Sequence, residues 1–245
     1  MNKRPDNWNS IYSRVLAAEK DFGMLRRGGR ILLGISGGSD SLVLLDMLAY
    51  QQRVLSRTLG LTVLAVHVPG RYHGRPIAPV AKLEALCGQL GLPFVAAGPE
   101  LKDDTFHDCF VCARARRKLL FDLAGQQGCD TIALGHNADD MVETALLNIL
   151  YAGHFAALHP RQPLLRGKVT VIRPLAYVWK DQIRAYCGQR FGPIRQFRCP
   201  GSARSKRITI RSLLTRLERD GSPVKANILK AITNPKPEYL PLRGR

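Results

Sequence analysis

The stretch Ile31-Leu32-Leu33-Gly34-Ile35-Ser36-Gly37-Gly38-Ser39-Asp40-Ser41-Leu42 joins an apolar run to an amphipathic pattern through a hexapeptide of small and polar residues. Ile31 to Ile35 reads as a buried strand and Leu42 to Tyr50 as a helix. In the turn between them, Gly37 and Gly38 let the backbone bend tightly and approach a ligand. The amides at the helix start form a nest for phosphate oxygens. Hydroxyls of Ser36, Ser39 and Ser41 add donors. Asp40 is repelled by a phosphate unless a cation lies between them, so it implies Mg2+. The hexapeptide lacks the Gly-Lys-Ser/Thr of a Walker A loop and the spacing of the dinucleotide fingerprint.

Working outward, Leu61 to Val68, Pro93 to Ala97, Thr131 to Leu134 and Val169 to Arg173 read as further strands. Val80 to Leu90, Cys112 to Gln126, Asp139 to Tyr151 and the stretch around Trp179 to Gln189 read as helices. Strands spaced by helices imply βαβ units, hence an α/β fold with a doubly wound, mostly parallel sheet and helices on both faces. In such a sheet ligands collect at the carboxyl ends of the strands. Ile11 to Phe22 reads as an N-terminal helix, and the core ends near Gly192. The expected organisation is therefore a helical segment over 1–26, a nucleotide-binding domain over 27–192 and a basic extension over 193–245, with short helices at Ile208 to Leu217 and Val224 to Ile232.

The 245 residues carry 37 Lys plus Arg against 19 Asp plus Glu, a formal net charge of +18. At 45 % hydrophobic, the chain has enough apolar material for a core, which excludes a disordered or low-complexity protein. From Arg195 to Arg245 there are thirteen basic and three acidic residues, so more than half of the excess sits in this tail. Such a charge asks for a polyanion, nucleic acid first and an anionic membrane surface second. No apolar run is long enough to cross a bilayer, and Met1 to Ser10 lacks the apolar core of a signal peptide, so a cytoplasmic protein with reduced cysteines is expected.

A second motif, Gly135-His136-Asn137-Ala138-Asp139-Asp140, follows the fourth strand and opens a helix that continues through Glu143 and Asn148. Paired acids at a helix start suit the dipole. With His136 they also suit metal binding and substrate positioning at the strand ends. Together the two motifs resemble the SGGxDS and GHxxDD patterns of the PP-loop (N-type) ATP pyrophosphatases, over about Arg30 to Ile172. The resemblance implies that Ser36 to Ser41 hold the pyrophosphate part of ATP. It also implies that the strand ending in His67 walls the adenine pocket, and that Gly135, His136, Asp139 and Asp140 belong to the ATP site.

Cys109-Phe110-Val111-Cys112 lies between the third strand and the following helix. Alone, a CxxC fits half a zinc site, a redox pair or part of an iron-sulfur site. No second CxxC completes a four-cysteine zinc site, and Cys199 is one more candidate ligand. Cys87, Cys129 and Cys187 sit in apolar patterns as small core residues. The run Cys109 to Lys118, the GHxxDD helix, Val171 to Ala176 and Cys199 resemble the TtcA family of tRNA 2-thiocytidine synthetases, over about Arg27 to Asn234.

That resemblance implies an ATP-dependent enzyme that adenylates the C2 oxygen of a cytidine in the tRNA anticodon loop and replaces it with sulfur. Cys109, Cys112 and Cys199 then ligate a 4Fe-4S cluster, and Mg2+ sits on Asp40. A cellular donor such as a cysteine desulfurase supplies sulfur, and the enzyme forms a homodimer. Arg114, Arg116, Arg117 and Lys118 beside the CxxC, with Arg204, Lys206 and Arg207 in the tail, supply an RNA footprint. Two positions depart from the family: Ser39 replaces the lysine of SGGKDS, and Gln196 stands where a second CxxC has its first cysteine. Two rivals share part of the pattern, an enzyme like tRNA lysidine synthetase and a zinc-binding, non-catalytic RNA-binding protein.

Overall fold

The apolar run that precedes the glycine turn is buried because it forms the centre of a sheet. The computed structural model describes residues 4–98, 100–101, 109–194 and 205–240. In chain order the strands are β1 (Arg30–Gly34), β2 (Thr62–His67), β3 (Arg71–Tyr72), β4 (Arg75–Pro76), β5 (Phe94–Ala96), β6 (Thr131–Ala133), β7 (Arg161–Leu164) and β8 (Val169–Ile172). The main sheet has the order β5-β2-β1-β6-β8-β7. All its pairings are parallel except β7 with β8, while β3 and β4 form a small hairpin.

Both faces of β1 are covered. Leu32 stands opposite Leu64 and Ile132 in the ladder and packs with Leu120, Ala124 and Val171. Burial on both faces explains why these strands read as continuous apolar runs with no alternation. The helices are α1 (Trp8–Asp21), α2 (Ser39–Leu59), α3 (Val80–Gln89), α4 (Cys109–Gln126), α5 (Ala138–Leu147), α6 (Lys180–Phe191), α7 (Lys206–Leu217) and α8 (Val224–Thr233). The chain steps from β1 through β2 to β5 in one direction and returns through α4 to β6 on the other side of β1. Right-handed crossovers therefore put α4 on the opposite face from α2 and α3.

The chain divides into two compact units. The first comprises Met1–Asn137 and Pro160–Ala203 and contains the whole sheet; the second comprises Ala138–His159 and Arg204–Arg245. In the first unit α1 buries Ile11, Val15 and Ala18 completely. Its Trp8 and Tyr12 pack on Tyr50 of α2. In the second, α5 packs with α7 and α8.

Each strand and helix read from the sequence is present, with differences in extent. Helix α2 continues nine residues beyond Tyr50 because a polar residue in its second half, Gln51, is fully buried, and it ends only at Gly60, a left-handed C-cap with φ 61°. Helix α4 starts at Cys109, so the CxxC lies in its first turn. The helix at 139–151 instead ends at Leu147 and passes into a π-helical turn, Asn148–Ala152. Strand β7 gave no signal because it is Arg-Gln-Pro-Leu, a sequence with proline that only an edge strand accepts. Among the described residues no helix is long and apolar enough to cross a membrane.

One buried polar pair has a pH signature. Gln51 Nε2 donates to Glu19 Oε2 at 2.7 Å, and burial pushes the Glu19 carboxyl up to about 7. The folded protein thus holds a proton that the unfolded chain releases near the ordinary glutamate value. This contribution to stability is complete below that ordinary value and is lost as pH rises through about 7. Between about pH 5 and pH 8 the wild type is expected to lose up to about 3 kcal/mol of unfolding free energy relative to Glu19→Gln. Urea unfolding of both proteins at the two pH values measures this, and parallel pH responses would contradict it.

Candidate nucleotide and thiol site

The sheet reverses its direction of growth at β1 and β6, so a crevice opens outside their carboxyl ends. The hexapeptide Ser36 to Ser41 leaves β1 into this crevice. Gly37 takes φ +81°, a conformation that favours glycine, and α2 begins at Ser39 with Gly38 as N-cap. Ser41 ties the turn together: its hydroxyl donates to Gly38 O at 2.8 Å and accepts from Ser36 N at 3.1 Å. Gly38 N donates to Ser36 Oγ at 3.3 Å. Two of the three hydroxyls therefore shape the loop. The first-turn amides of α2 have no carbonyl in their own helix, which makes the loop an anion cradle.

The loop after β6 meets this turn backbone to backbone. A Cβ on Gly135 would lie 3.0 Å from Asp40 C and Ser41 N, so glycine is required there. Two residues on, buried Asn137 donates from Nδ2 to Asp40 Oδ1 at 3.0 Å. The other oxygen of Asp40 is held by Lys180 Nζ, which also reaches Ser39 Oγ at 3.4 Å. Asp40 thus stands between an amide and an ammonium, with about a quarter of its side chain exposed. Helix α6 delivers Lys180 because it is pinned to α2. Tyr186 Oη donates to Asp46 Oδ2 at 2.6 Å, and Arg190 donates to both oxygens of Asp46 at 2.7 and 3.1 Å.

His67, at the end of β2, is 1 % exposed. Its Nδ1 donates to Ile35 O at 2.8 Å, one residue before the glycine turn. Its Nε2 finds no hydrogen-bond partner among the described residues. Burial and the nearby Arg116 charge lower its pKa, so the ring is neutral at physiological pH. Arg116 is half-buried, whereas Arg114, Arg117 and Lys118 are exposed. Cys112 is one helical turn before Arg116 and carries a free thiol, half-buried. Cys109 stands three residues before Cys112 in the first turn of α4. Burial, with the charge of Arg117, brings the Arg173 guanidinium down to about 10.

The other thiols belong to the core. Burial pushes Cys87 up to about 11 and Cys187 up to about 12, and raises Cys129 as well. In the second unit, Asp139 Oδ1 accepts from Lys225 Nζ at 3.2 Å. Buried Glu143 takes a bidentate contact from Arg211 at 2.6 and 3.0 Å and a further one from Arg207 at 3.3 Å. Lys206 lies 5.2 Å above the ring of Tyr151. Asp140 is half-buried at the start of α5. Cys199 and Arg204 lie outside the described residues. Among the described residues no three His, Cys, Asp or Glu side chains gather as a metal site.

Sequence reasoning missed Asn137 and Lys180. Asn137 occupies a variable place in the GHxxDD pattern. Lys180 is 140 residues from the carboxylate it contacts, and nothing in its neighbours distinguishes it from a solvated helix start.

Comparison with known proteins agrees with this arrangement. The profile of the PP-loop domain matches residues 10–214. The tRNA-cytidine(32) 2-sulfurtransferase of Geobacter sulfurreducens is 34 % identical, with 95 % of this chain and 92 % of the relative covered. The protein of the same name from Geobacter metallireducens is 33 % identical over the same shares. Among solved structures, the U34-tRNA thiolase NcsA from Methanococcus maripaludis, with its 4Fe-4S cluster, superposes with a TM-score of 0.69 at 20 % identity. That match covers 91 % of this chain and 77 % of that one, a likeness of fold. With its glycine turn, its Gly135 loop and relatives a third identical over almost their whole length, this chain belongs to the PP-loop family, in the group that contains the tRNA-cytidine(32) 2-sulfurtransferases.

Proposed function

We propose that the protein is an ATP-dependent tRNA thiolase that converts a cytidine of the anticodon loop to 2-thiocytidine. The observation that carries this reading is the continuity from phosphate loop to thiols. His67 bonds the residue before the glycine turn, the charge of Arg116 reaches His67, and Cys112 lies one turn from Arg116 on α4. A nucleotide cradle and the free thiol of Cys112 thus lie at one end of the sheet. The names of the relatives point to cytidine 32 as the target.

In this reading the amides and hydroxyls of Ser36 to Ser41 bind the phosphates of ATP. Asp40 holds Mg2+, and the neutral His67, with Gly135 and His136, borders the nucleotide. The C2 oxygen of the cytidine attacks the α-phosphate, pyrophosphate leaves, and a poor leaving group becomes AMP; a sulfur nucleophile then displaces AMP at C2. The thiol described fits a cluster ligand: Cys112 is free and half-buried, and Cys109 stands three residues before it in the same helix. These two and Cys199 are the proposed ligands. When bound, the 4Fe-4S cluster supplies the handling of sulfur received from a donor such as a cysteine desulfurase. We place the enzyme in the cytoplasm and assign a homodimer on the family resemblance alone.

The exposed charges Arg114, Arg117 and Lys118, and separately Lys206 and Arg207 in the second unit, are the proposed tRNA contacts. Replacing Arg114, Arg117 and Lys118 together by Ala is expected to weaken tRNA binding and reduce the slope of log K against log salt by about 2 to 3, as three phosphate contacts require. Filter binding over a salt series measures the slope, and an unchanged value would remove α4 from the footprint. In cells that lack this gene, mass spectrometry of tRNA nucleosides is expected to show loss of 2-thiocytidine, restored by the wild type and not by Cys112→Ala. An unchanged level would favour the lysidine-type enzyme or the zinc-binding protein, which iron and zinc contents then separate.

A further inference from the structure

The hexapeptide Ser36 to Ser41 contains a carboxylate and no cation. A triphosphate placed on it meets the negative charge of Asp40, which backbone amides alone offset poorly. The structure brings a positive charge to this turn from another part of the chain. Lys180 is the first residue of α6, and its Nζ contacts Asp40 and lies 3.4 Å from Ser39 Oγ. The Lys180 side chain is about three-quarters buried, and its position is set by more than its own ion pair. Asp46 is clamped by Tyr186 and Arg190, the Cys187 thiol donates to Ser39 O at 3.6 Å, and Gln182 accepts from Trp179 N to cap the helix. These contacts hold the start of α6 against the start of α2.

We infer that Lys180 is a phosphate-binding residue of the nucleotide site, the cation that the loop itself does not encode. The inference rests on the ATP reading of the loop. In the protein alone, Asp40 keeps the ammonium at the mouth of the cradle. Once Asp40 is committed to Mg2+, Lys180 Nζ turns to a phosphate oxygen, a movement within the reach of one flexible side chain. The same atom marks where a lysine at position 39 would act, because Lys180 lies on the Ser39 hydroxyl. A lysine moved to position 39 has room only if the side chain at 180 is shortened. Position 180 thus replaces position 39, and the departure from SGGKDS moves the charge without loss of it.

The test is calorimetric titration of the full-length protein, without tRNA, with Mg-ATP and with AMP. Lys180→Ala is expected to bind Mg-ATP about ten- to a hundred-fold more weakly, the effect of one charged hydrogen bond, and AMP almost unchanged. Lys180→Arg and the double variant Ser39→Lys with Lys180→Ala are expected to recover most of the Mg-ATP affinity. Lys180→Ala that binds Mg-ATP as well as or better than the wild type would overturn the assignment. Equal loss of AMP and Mg-ATP with a lowered melting temperature, not recovered in the double variant, would overturn it too, since it shows a structural role. A folded wild type that binds no ATP would sink the ATP reading itself, and the assignment with it. A wild type that binds while Lys180→Ala is unaffected isolates the failure to Lys180.

Discussion

The contact on which the site depends is the one between the backbone of Gly135 and the first turn of α2. A side chain at 135 would overlap peptide atoms that cannot move without unwinding the helix start. Its absence lets the loops after β1 and β6 touch across the point where the sheet changes direction. Asn137 can then reach Asp40, and the carboxylate is oriented from one side by an uncharged donor. The parallel pairing of β1 with β6, Leu33 opposite Ala133 at the strand ends, sets the two loops level with each other. Sheet register and one missing Cβ together define the crevice.

A second layer of constraint comes from α6. Tyr186 and Arg190 converge on Asp46 two turns into α2, and the bidentate geometry of the guanidinium fixes the sliding of one helix on the other. The clamp is rigid where the site needs accuracy, and the one mobile element it presents is a lysine side chain. Burial holds Cys187 protonated beneath Ser39, so this thiol packs and does not compete with Cys112 for electrophiles or metals.

How much of this could be read from the sequence follows the range of the interactions. The strand, the glycine turn and the helix after it are contiguous, so their apolar pattern and turn chemistry reveal both the fold and the phosphate cradle. The CxxC was visible for the same reason, although its place inside α4 was not. Lys180, Asn137, Glu19 and the edge strand β7 were not legible. Each acquires its role from a partner distant in the chain, and a lysine, an amide or a Pro-containing tetrapeptide looks the same in solvent as in contact. The acids of the GHxxDD segment are a mixed case: Asp139 and Glu143 stand out in the sequence, but their pairing with Lys225, Arg207 and Arg211 does not.

Those pairings order events during synthesis. Helix α5 is made in the middle of the chain, yet its buried Glu143 receives its guanidinium partners 64 and 68 residues later, and Asp139 waits 86 residues for Lys225. On the ribosome, translation reaches the last quarter of the message before these charges can be matched, while every strand of the sheet has already emerged. The first unit can therefore assemble ahead of the second.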